Sequence, residues 1–345
     1  MKMILQLFLL CPLLVFGQNK IQDIVDHEYE KGHFSGTVLY ADQMQFVTIN
    51  KGMANIQFDV KINDKTRFPI ASVTKLFTSL AVLQLFENGS LSFEDTIDKY
   101  ITDLHEDCRK ITIKQLIIHR SNLVNEPIKA VMKKYSIDDY IRDFTKRSVQ
   151  DTLKFNYNNV DFVLLSKVIE KVTQKSFLEA INDLILQPLK MENTGFVKEE
   201  IITKNLAYGY HNNTFGDGDK NEPLYNDRRY LSNYYGAGAM YSNTADLYKL
   251  LTALKKNTLI SEKTKRLFLT KPQMDDYIDW LSGKPTMGFY YDTKEKESVL
   301  RRSGNIDGFN ASIIVNENFN KVLIILCNTD TADLNSLANK IYFAE

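Results

Sequence analysis

The stretch Thr66-Arg67-Phe68-Pro69-Ile70-Ala71-Ser72-Val73-Thr74-Lys75 constrains this 345-residue chain more than any other. Ser72 and Lys75 form its only S-x-x-K. Apolar Val73, Leu76, Phe77, Leu80 and Leu83 recur at three- and four-residue spacing after it, the period of a helix with one buried face. Asn88-Gly89 supplies the stop, glycine being the residue that most readily takes a left-handed cap. Pro69 holds the approach extended. The spacing therefore predicts Ser72 on the first turn of a buried helix, with Lys75 one turn along on the same face. A serine hydroxyl becomes a nucleophile when a neighbouring base takes its proton. Lysine is such a base only when burial or nearby positive charge holds its amine neutral. The helix N-terminus adds partial positive charge and free N–H groups for a developing oxyanion. An isolated S-x-x-K is more often a helix start beside a solvated lysine, so the rest of the chain must decide.

The chain opens with Lys2, an apolar run over 4–16, and Val15-Phe16-Gly17 before Gln18, which reads as a secretory signal over residues 1–17. The run is too short for a confident membrane span, and Leu10 and Pro12 around Cys11 fit a lipid-attachment site badly. The expectation is an exported protein, periplasmic or secreted, with no stable membrane insertion once the signal is cleaved. Residues 18–345 are enough for one large compound domain. Lys plus Arg equals Asp plus Glu at 43 each and the charges are dispersed, which argues against a nucleic-acid or anionic-membrane partner. His27, His33, His105, His119 and His211 have no metal-ligand spacing, so neither metal nor cofactor is implied. Cys327 ends the apolar run Val322-Leu323-Ile324-Ile325-Leu326 and reads as a core thiol; two cysteines, Cys108 and Cys327, do not by themselves establish a disulfide.

Residues 34–41 and 45–50 alternate around Asp42-Gln43-Met44 and predict a hairpin. Helices are predicted over 111–118, 137–145, 160–172 (with Asn158 or Asn159 as cap) and 177–186. Residues 206–235, centred on Gly216-Asp217-Gly218-Asp219, predict a long binding or mobile loop. Asn243 with Asp246 starts another helix. Strands follow over 288–291, 298–302, 311–315 and 321–327, and a closing helix over 334–342. The fold class is therefore α+β: an antiparallel sheet built from both chain ends and flanked by helices, with an inserted, mainly helical lobe. The sheet lobe covers about 20–65 and 285–345 and the helical lobe about 76–280, within a single domain over 18–345.

Four segments resemble one family. The Ser72 motif is similar, nearly letter for letter, to the nucleophile motif of the serine β-lactamases and penicillin-binding-protein-like hydrolases, in the class C branch with its esterases and D-amino-acid peptidases. Leu116-Ile117-Ile118-His119-Arg120-Ser121-Asn122-Leu123 resembles its "LLxHxSGL" segment. Tyr157-Asn158-Asn159 and Gln187-Pro188-Leu189-Lys190-Met191 resemble its Y-x-N and "PLGM" motifs. Gly236-Ala237-Gly238 through Ala245-Asp246-Leu247 resembles "GAGGLxSTAxDL". The resemblance implies Ser72 as acyl-forming nucleophile, Lys75 as its base, Tyr157 as second acid/base, and Asn159 orienting Lys75 or the substrate amide. It also places the third motif at Arg302-Ser303-Gly304 and the oxyanion hole at the N–H groups of Ser72 and Asn305. Y-x-N also occurs at Tyr210-Asn212 and Tyr241-Asn243, and it is the surroundings, not the spacing, that select Tyr157.

The chain departs from the family at three points. Arg302 stands where the family has Lys or His; arginine keeps the charge and can grip a carboxylate but cannot shuttle a proton, which favours anion binding. Asn122 and Lys190 replace glycines, Asn being the more tolerant of a left-handed backbone. The reading is an exported serine hydrolase working through an acyl-enzyme on a small-molecule or peptide ester or amide, esterase- or D-amino-acid-peptidase-like or a β-lactamase. Arg302 tilts it away from a dedicated β-lactamase. The alternative is a penicillin-binding-like module that binds cell-wall peptide or β-lactam without turnover.

Overall fold

The computed structural model describes residues 13–148, 154–210, 230–270, 277–329 and 333–344. Its helices are α1 Leu13–Glu30, α2 Thr74–Glu87, α3 Ile113–Ile117, α4 Ile137–Phe144, α5 Val160–Thr173, α6 Phe177–Ile181, α7 Thr244–Lys256, α8 Glu262–Phe268 and α9 Leu334–Tyr342. Its strands are β1 Gly36–Ala41, β2 Phe46–Lys51, β3 Met53–Asn55, β4 Val60–Lys61, β5 Phe68–Pro69, β6 Gly195–Phe196, β7 Met240–Ser242, β8 Lys284–Pro285, β9 Tyr290–Asp292, β10 Val299–Ile306, β11 Phe309–Asn316 and β12 Val322–Cys327. The main sheet runs β2-β1-β12-β11-β10-β9-β8, so the first hairpin docks beside the last strand and the two ends of the chain make one surface. The α+β architecture expected from the sequence is the one observed.

β12 shows why this sheet forms. Leu323 and Ile325 face one side with Ile21, Val25, Leu337 and Ile341 of α1 and α9. Val322, Ile324 and Leu326 face the other, toward α2 and the helical lobe. A strand covered on both faces has no polar side to alternate with, hence the unbroken apolar run. The cover on the outer face includes α1, which the sequence reading did not anticipate; among its described side chains Ile21 and Val25 are buried there with Ile24 packed beside them, set among charges. α1 runs through the expected cleavage point at Gly17 and Gln18, while residues 1–12 lie outside the described residues. No described helix is long and apolar enough to cross a membrane.

α2 is buried on nearly every side, not on one stripe, because it lies between the sheet and the inserted helices. Its end is as expected, with Asn88 as C-cap and Gly89 at φ 77°. The predicted helix over 177–186 divides into α6 and a π-helical segment, Asn182–Leu186. Asn243 caps α7, its side chain accepting from the Asp246 N–H. Asn122 and Lys190 do sit at positive φ, 62° and 51°. Cys108 and Cys327 are both buried free thiols. Of the long loop over 206–235, residues 211–229, with Gly216-Asp217-Gly218-Asp219, lie outside the described residues.

Candidate active site

Ser72 sits on a 3-10 turn, Ala71–Val73, that feeds directly into α2 at Thr74. Ala71 is held at φ 42°, a conformation its Cβ disfavours, and the turn is fixed from both ends. The Val73 N–H donates to Ile70 O at 3.0 Å, and the Ile70 N–H to Met240 O at 2.9 Å. β10 closes the third side. β9 pairs with β10 only as far as Arg301, which leaves the edge from Arg302 onward open to the nucleophile turn. A Cβ on Gly304 would lie 2.1 Å from Ile70 O and 3.0 Å from Ser72 N, so only glycine permits this approach of backbone to backbone. The β10–β11 turn is two residues, Asp307-Gly308, between the paired Ile306 and Phe309. One step back from that closing pair, Asn305 is opposite Asn310 in a position whose N–H points away from β11 and toward the open edge.

Lys75 is fully buried one turn along α2. Its Nζ donates to Ser72 Oγ at 3.2 Å, Asn159 Oδ1 at 2.7 Å and Ala237 O at 2.8 Å. The Tyr157 hydroxyl reaches Ser72 Oγ at 2.6 Å. The Lys75 ammonium also lies 4.8 Å from the centroid of the Tyr157 ring. Burial drives the Lys75 amine below its ordinary range, and the Arg302 charge pushes the same way while Tyr157 opposes them. Burial raises the Tyr157 phenol, but the positive charges of Lys75 and Arg302 outweigh it and bring its pKa down. Both shifts favour the base forms, so either group can accept the proton that Ser72 gives up.

The structure brings Ser72, Lys75, Tyr157, Asn159, Arg302, Gly304 and Asn305 to one seam between β10 and the N-terminus of α2. It also separates the three Y-x-N matches. Tyr210 is tied to Ile56 N and Gln57 Oε1, and Tyr241 lies in β7 with Arg67 5.6 Å over its ring. Asn158, not Asn159, serves the start of α5: its Oδ1 accepts from Val160 N at 2.7 Å, which frees Asn159 to reach Lys75. Arg302, expected to grip a substrate anion, is buried and turned inward. Its Nε and Nη2 donate to Ser72 O at 3.0 and 2.6 Å, and its Nη1 to Gly288 O at 3.2 Å and the Tyr290 hydroxyl at 3.4 Å. It fixes the backbone of the nucleophile turn and contributes charge to the Lys75–Tyr157 pair.

Several contributors were not singled out for the site by sequence. Ala237 O holds Lys75 because Gly236 passes between α2 and α5: a Cβ there would be 2.5 Å from both Ser166 Oγ and Thr78 Oγ1. Behind Tyr157, the buried His119 ring stacks at 4.7 Å, and its Nδ1 lies 2.9 Å from Asp161 Oδ2. Burial and the charges of Lys75 and Arg302 hold His119 neutral, and burial pushes the Asp161 carboxyl well up. Glu126 accepts from Asn159 Nδ2 at 3.0 Å, and Asn125 Oδ1 from Asn159 N at 2.9 Å. Trp280, the chain's single tryptophan, is 66% exposed yet stands edge-on to Tyr157, ring centroids 5.6 Å apart. Uniqueness of Trp280, and of Glu126 as the only glutamate between Glu106 and Glu170, are the signals the sequence offered.

Among curated relatives, protein flp of Staphylococcus aureus strain MW2 is 27% identical over 336 residues, covering 91% of this chain and 64% of its own length. The teichoic acid D-alanine hydrolase of Staphylococcus aureus is 30% identical over 271 residues, 76% of this chain and 66% of its own. The chain thus spans a little under two thirds of the length of these relatives. The crystal structure of FmtA from Staphylococcus aureus superposes with a TM-score of 0.76 at 26% identity, covering 94% of this chain and 86% of that one. The sequence model of the β-lactamase family matches residues 21–342, essentially the whole described fold with Ser72, Tyr157 and Arg302 inside it, and the chain belongs to that family.

Proposed function

We propose that this protein is an exported serine hydrolase that cleaves an ester or amide through an acyl-enzyme on Ser72. The observation that carries the reading is the pair of hydrogen bonds converging on Ser72 Oγ, 2.6 Å from Tyr157 and 3.2 Å from a Lys75 amine that burial drives toward neutrality. Ser72 Oγ attacks the substrate carbonyl and gives its proton to the Lys75–Tyr157 pair. The oxyanion binds the N–H groups of Ser72 and Asn305. As the tetrahedral centre collapses, the C–O or C–N bond breaks and the leaving alcohol or amine takes the proton from Tyr157. Water then attacks the Ser72 ester, the pair takes its proton, and the acid leaves as Ser72 is reprotonated. Asn159 and Ala237 O hold Lys75 in line, and Arg302 holds the Ser72 carbonyl so that the N–H face of the turn stays presented.

Export rests on the leader-like run over 1–17. The hydrolytic activity named for a relative, removal of D-alanine from teichoic acid, makes D-amino-acyl esters the first substrate class to test. Purified protein from Gln18 onward and its Ser72→Ala variant are assayed on a short-chain p-nitrophenyl ester, D-alanyl esters, a D-Ala-D-Ala peptide and a chromogenic cephalosporin. Turnover of one of these that vanishes in Ser72→Ala supports the reading and names the class. Turnover that survives the substitution contradicts it. A stoichiometric burst with no turnover instead supports the penicillin-binding-like alternative. The observation that favours that alternative is Arg302, buried on the turn where the family carries a Lys or His.

A further inference from the structure

Behind Tyr157 lies a buried cluster, Ser121, Asp161 and His119, that the chemistry of acyl transfer does not use. It has the members of a serine-hydrolase triad in the wrong order. Ser121 Oγ donates to Asp161 Oδ1 at 2.5 Å, and Asp161 Oδ2 lies 2.9 Å from His119 Nδ1. The far ring nitrogen, Nε2, has no hydrogen-bond partner among the described residues. The serine thus bonds the carboxyl and not the imidazole, and the cluster is no second nucleophile. What it grips is the Tyr157 segment. His119 O accepts from the Asn156 N–H at 2.8 Å, and His119 Nδ1 from the Asn158 N–H at 3.3 Å. Its ring lies 4.7 Å from that of Tyr157. One residue therefore holds the chain just before Tyr157, just after it, and the phenol ring between. It does so at φ 56°, a left-handed backbone that a β-carbon disfavours and that surrounding contacts must maintain.

We propose that His119 is a positioning residue for Tyr157, and that Asp161 fixes it as a protonated acid donating to Nδ1. The proposal rests on the hydrolase reading only in taking Tyr157 as the proton carrier beside Ser72. The argument for the proton is the double demand on Nδ1. A ring nitrogen either carries a proton and donates, or lacks one and accepts. If Nδ1–H donated to an ionised Asp161, the Asn158 N–H would be buried without a partner, since Nδ1 is its only acceptor among the described residues. If Nδ1 is bare, it accepts from that N–H at 3.3 Å and, more closely, from a proton on Asp161 Oδ2 at 2.9 Å. Asp161 is wholly buried and, among the described residues, makes no ion pair with a Lys or Arg. Burial accordingly favours its neutral form, and that of His119. A cluster with no net charge orders Tyr157 without adding to the charges of Lys75 and Arg302 that tune it. The phenol is held in place for its 2.6 Å contact with Ser72 Oγ.

The test reads the rate at which a fluorophosphonate labels Ser72 in wild type, His119→Phe, Asp161→Ala and Asp161→Asn, with Ser72→Ala as the blank. Asparagine reproduces the neutral acid, its Oδ1 accepting from Ser121 and its Nδ2 donating to Nδ1. His119→Phe and Asp161→Ala are expected to slow labelling by about 10- to 100-fold, and Asp161→Asn to restore most of that loss. A loss in Asp161→Asn as deep as in Asp161→Ala would mean an ionised Asp161 facing Nδ1–H, and would overturn the proposal. In a Tyr157→Phe background His119→Phe should cost little more, because the hydroxyl it positions is gone. An undiminished effect there would assign His119 to the fold alone and overturn the positioning role. Where His119→Phe does not fold cooperatively, Asp161→Ala takes its place in the cycle. Infrared difference spectra of wild type against Asp161→Asn read the proton without any turnover. Loss of a protonated-carboxyl band supports the proposal; loss of a carboxylate band overturns it and leaves the serine hydrolase standing. Wild type that fails to label at Ser72 would overturn the hydrolase reading, and the role for Tyr157 with it.

Discussion

The β11–β12 face of the sheet and the seam at the N-terminus of α2 are built on opposite terms. Between β11 and β12 the residues are Ile313, Ile314, Val315, Leu323, Ile324, Ile325 and Leu326, all buried, and the strands are held by register and apolar area. Such packing is non-directional and tolerates small rearrangements. At the seam, Lys75, Asn159 and Arg302 are held by directional hydrogen bonds with named partners, and Gly304 and Gly236 leave no room for a methyl group. The sheet gives the molecule its stability; the seam holds two proton acceptors next to a hydroxyl, at some cost in buried polar groups. Loss of a side chain should therefore read out differently in the two regions.

The largest expected effect is at the seam. Lys75→Ala should lower kcat/KM by about 10³-fold or more, since it removes the base along with its hydrogen bonds to Ser72 and Asn159. Thermal unfolding should show a much smaller change, because a buried amine is exchanged for a methyl. Loss of cooperative folding in that variant would break the comparison. Leu326→Ala is the converse: a destabilisation of about 2–5 kcal/mol by denaturant titration, with the kinetic constants of the folded fraction near wild type. Gly304→Ala joins the two regions. Its Cβ would press on Ile70 O and Ser72 N, both backbone, and displacement of the nucleophile should cost about 10²-fold in kcat. A variant as active as wild type would show that β10 can slide, and that the seam has more slack than its contacts suggest.

Two smaller effects sharpen the picture. Arg302→Gln removes a positive charge that lowers the pKa of both Lys75 and Tyr157. Both then bind their protons more tightly, so at a given pH less of the base form is present. The acid limb of the kcat/KM profile should accordingly move to higher pH, whereas a merely structural role for Arg302 would reduce the rate at every pH without moving the limb. Lys190→Gly relieves a side chain held at φ 51° after the π-helical segment and should stabilise the fold by about 1 kcal/mol with no effect on rate.

How much of this was legible follows from where the information lies. The terminal hairpins were readable because Val322-Leu323-Ile324-Ile325-Leu326 and the 34–41 run carry the strand signal locally. α9 was readable because Leu334, Leu337, Ala338 and Ile341 make a full helical stripe. α1 was not, because Ile21, Ile24 and Val25 among Gln, Asp and Lys look like a linker until the back of the sheet needs covering. Ser72 and Lys75 were legible as a pair because a single helical turn brings them together. The register that turns the Asn305 N–H toward the open edge of β10 required the turn at Asp307-Gly308 to be seen. Arg302 shows the limit of reading a residue by its charge: nothing local says that its donors are consumed by Ser72 O. Glu126 and Ala237 enter the site only through tertiary contact, which no periodicity encodes.

The most direct test of the central claim is the intact mass of the protein after brief incubation with a fluorophosphonate, run beside Ser72→Ala and Lys75→Ala. The account predicts one adduct per chain, mapped to Ser72 by peptide fragmentation, absent in Ser72→Ala and formed much more slowly in Lys75→Ala. An adduct that persists in Ser72→Ala, or labelling at an unchanged rate without Lys75, would contradict it.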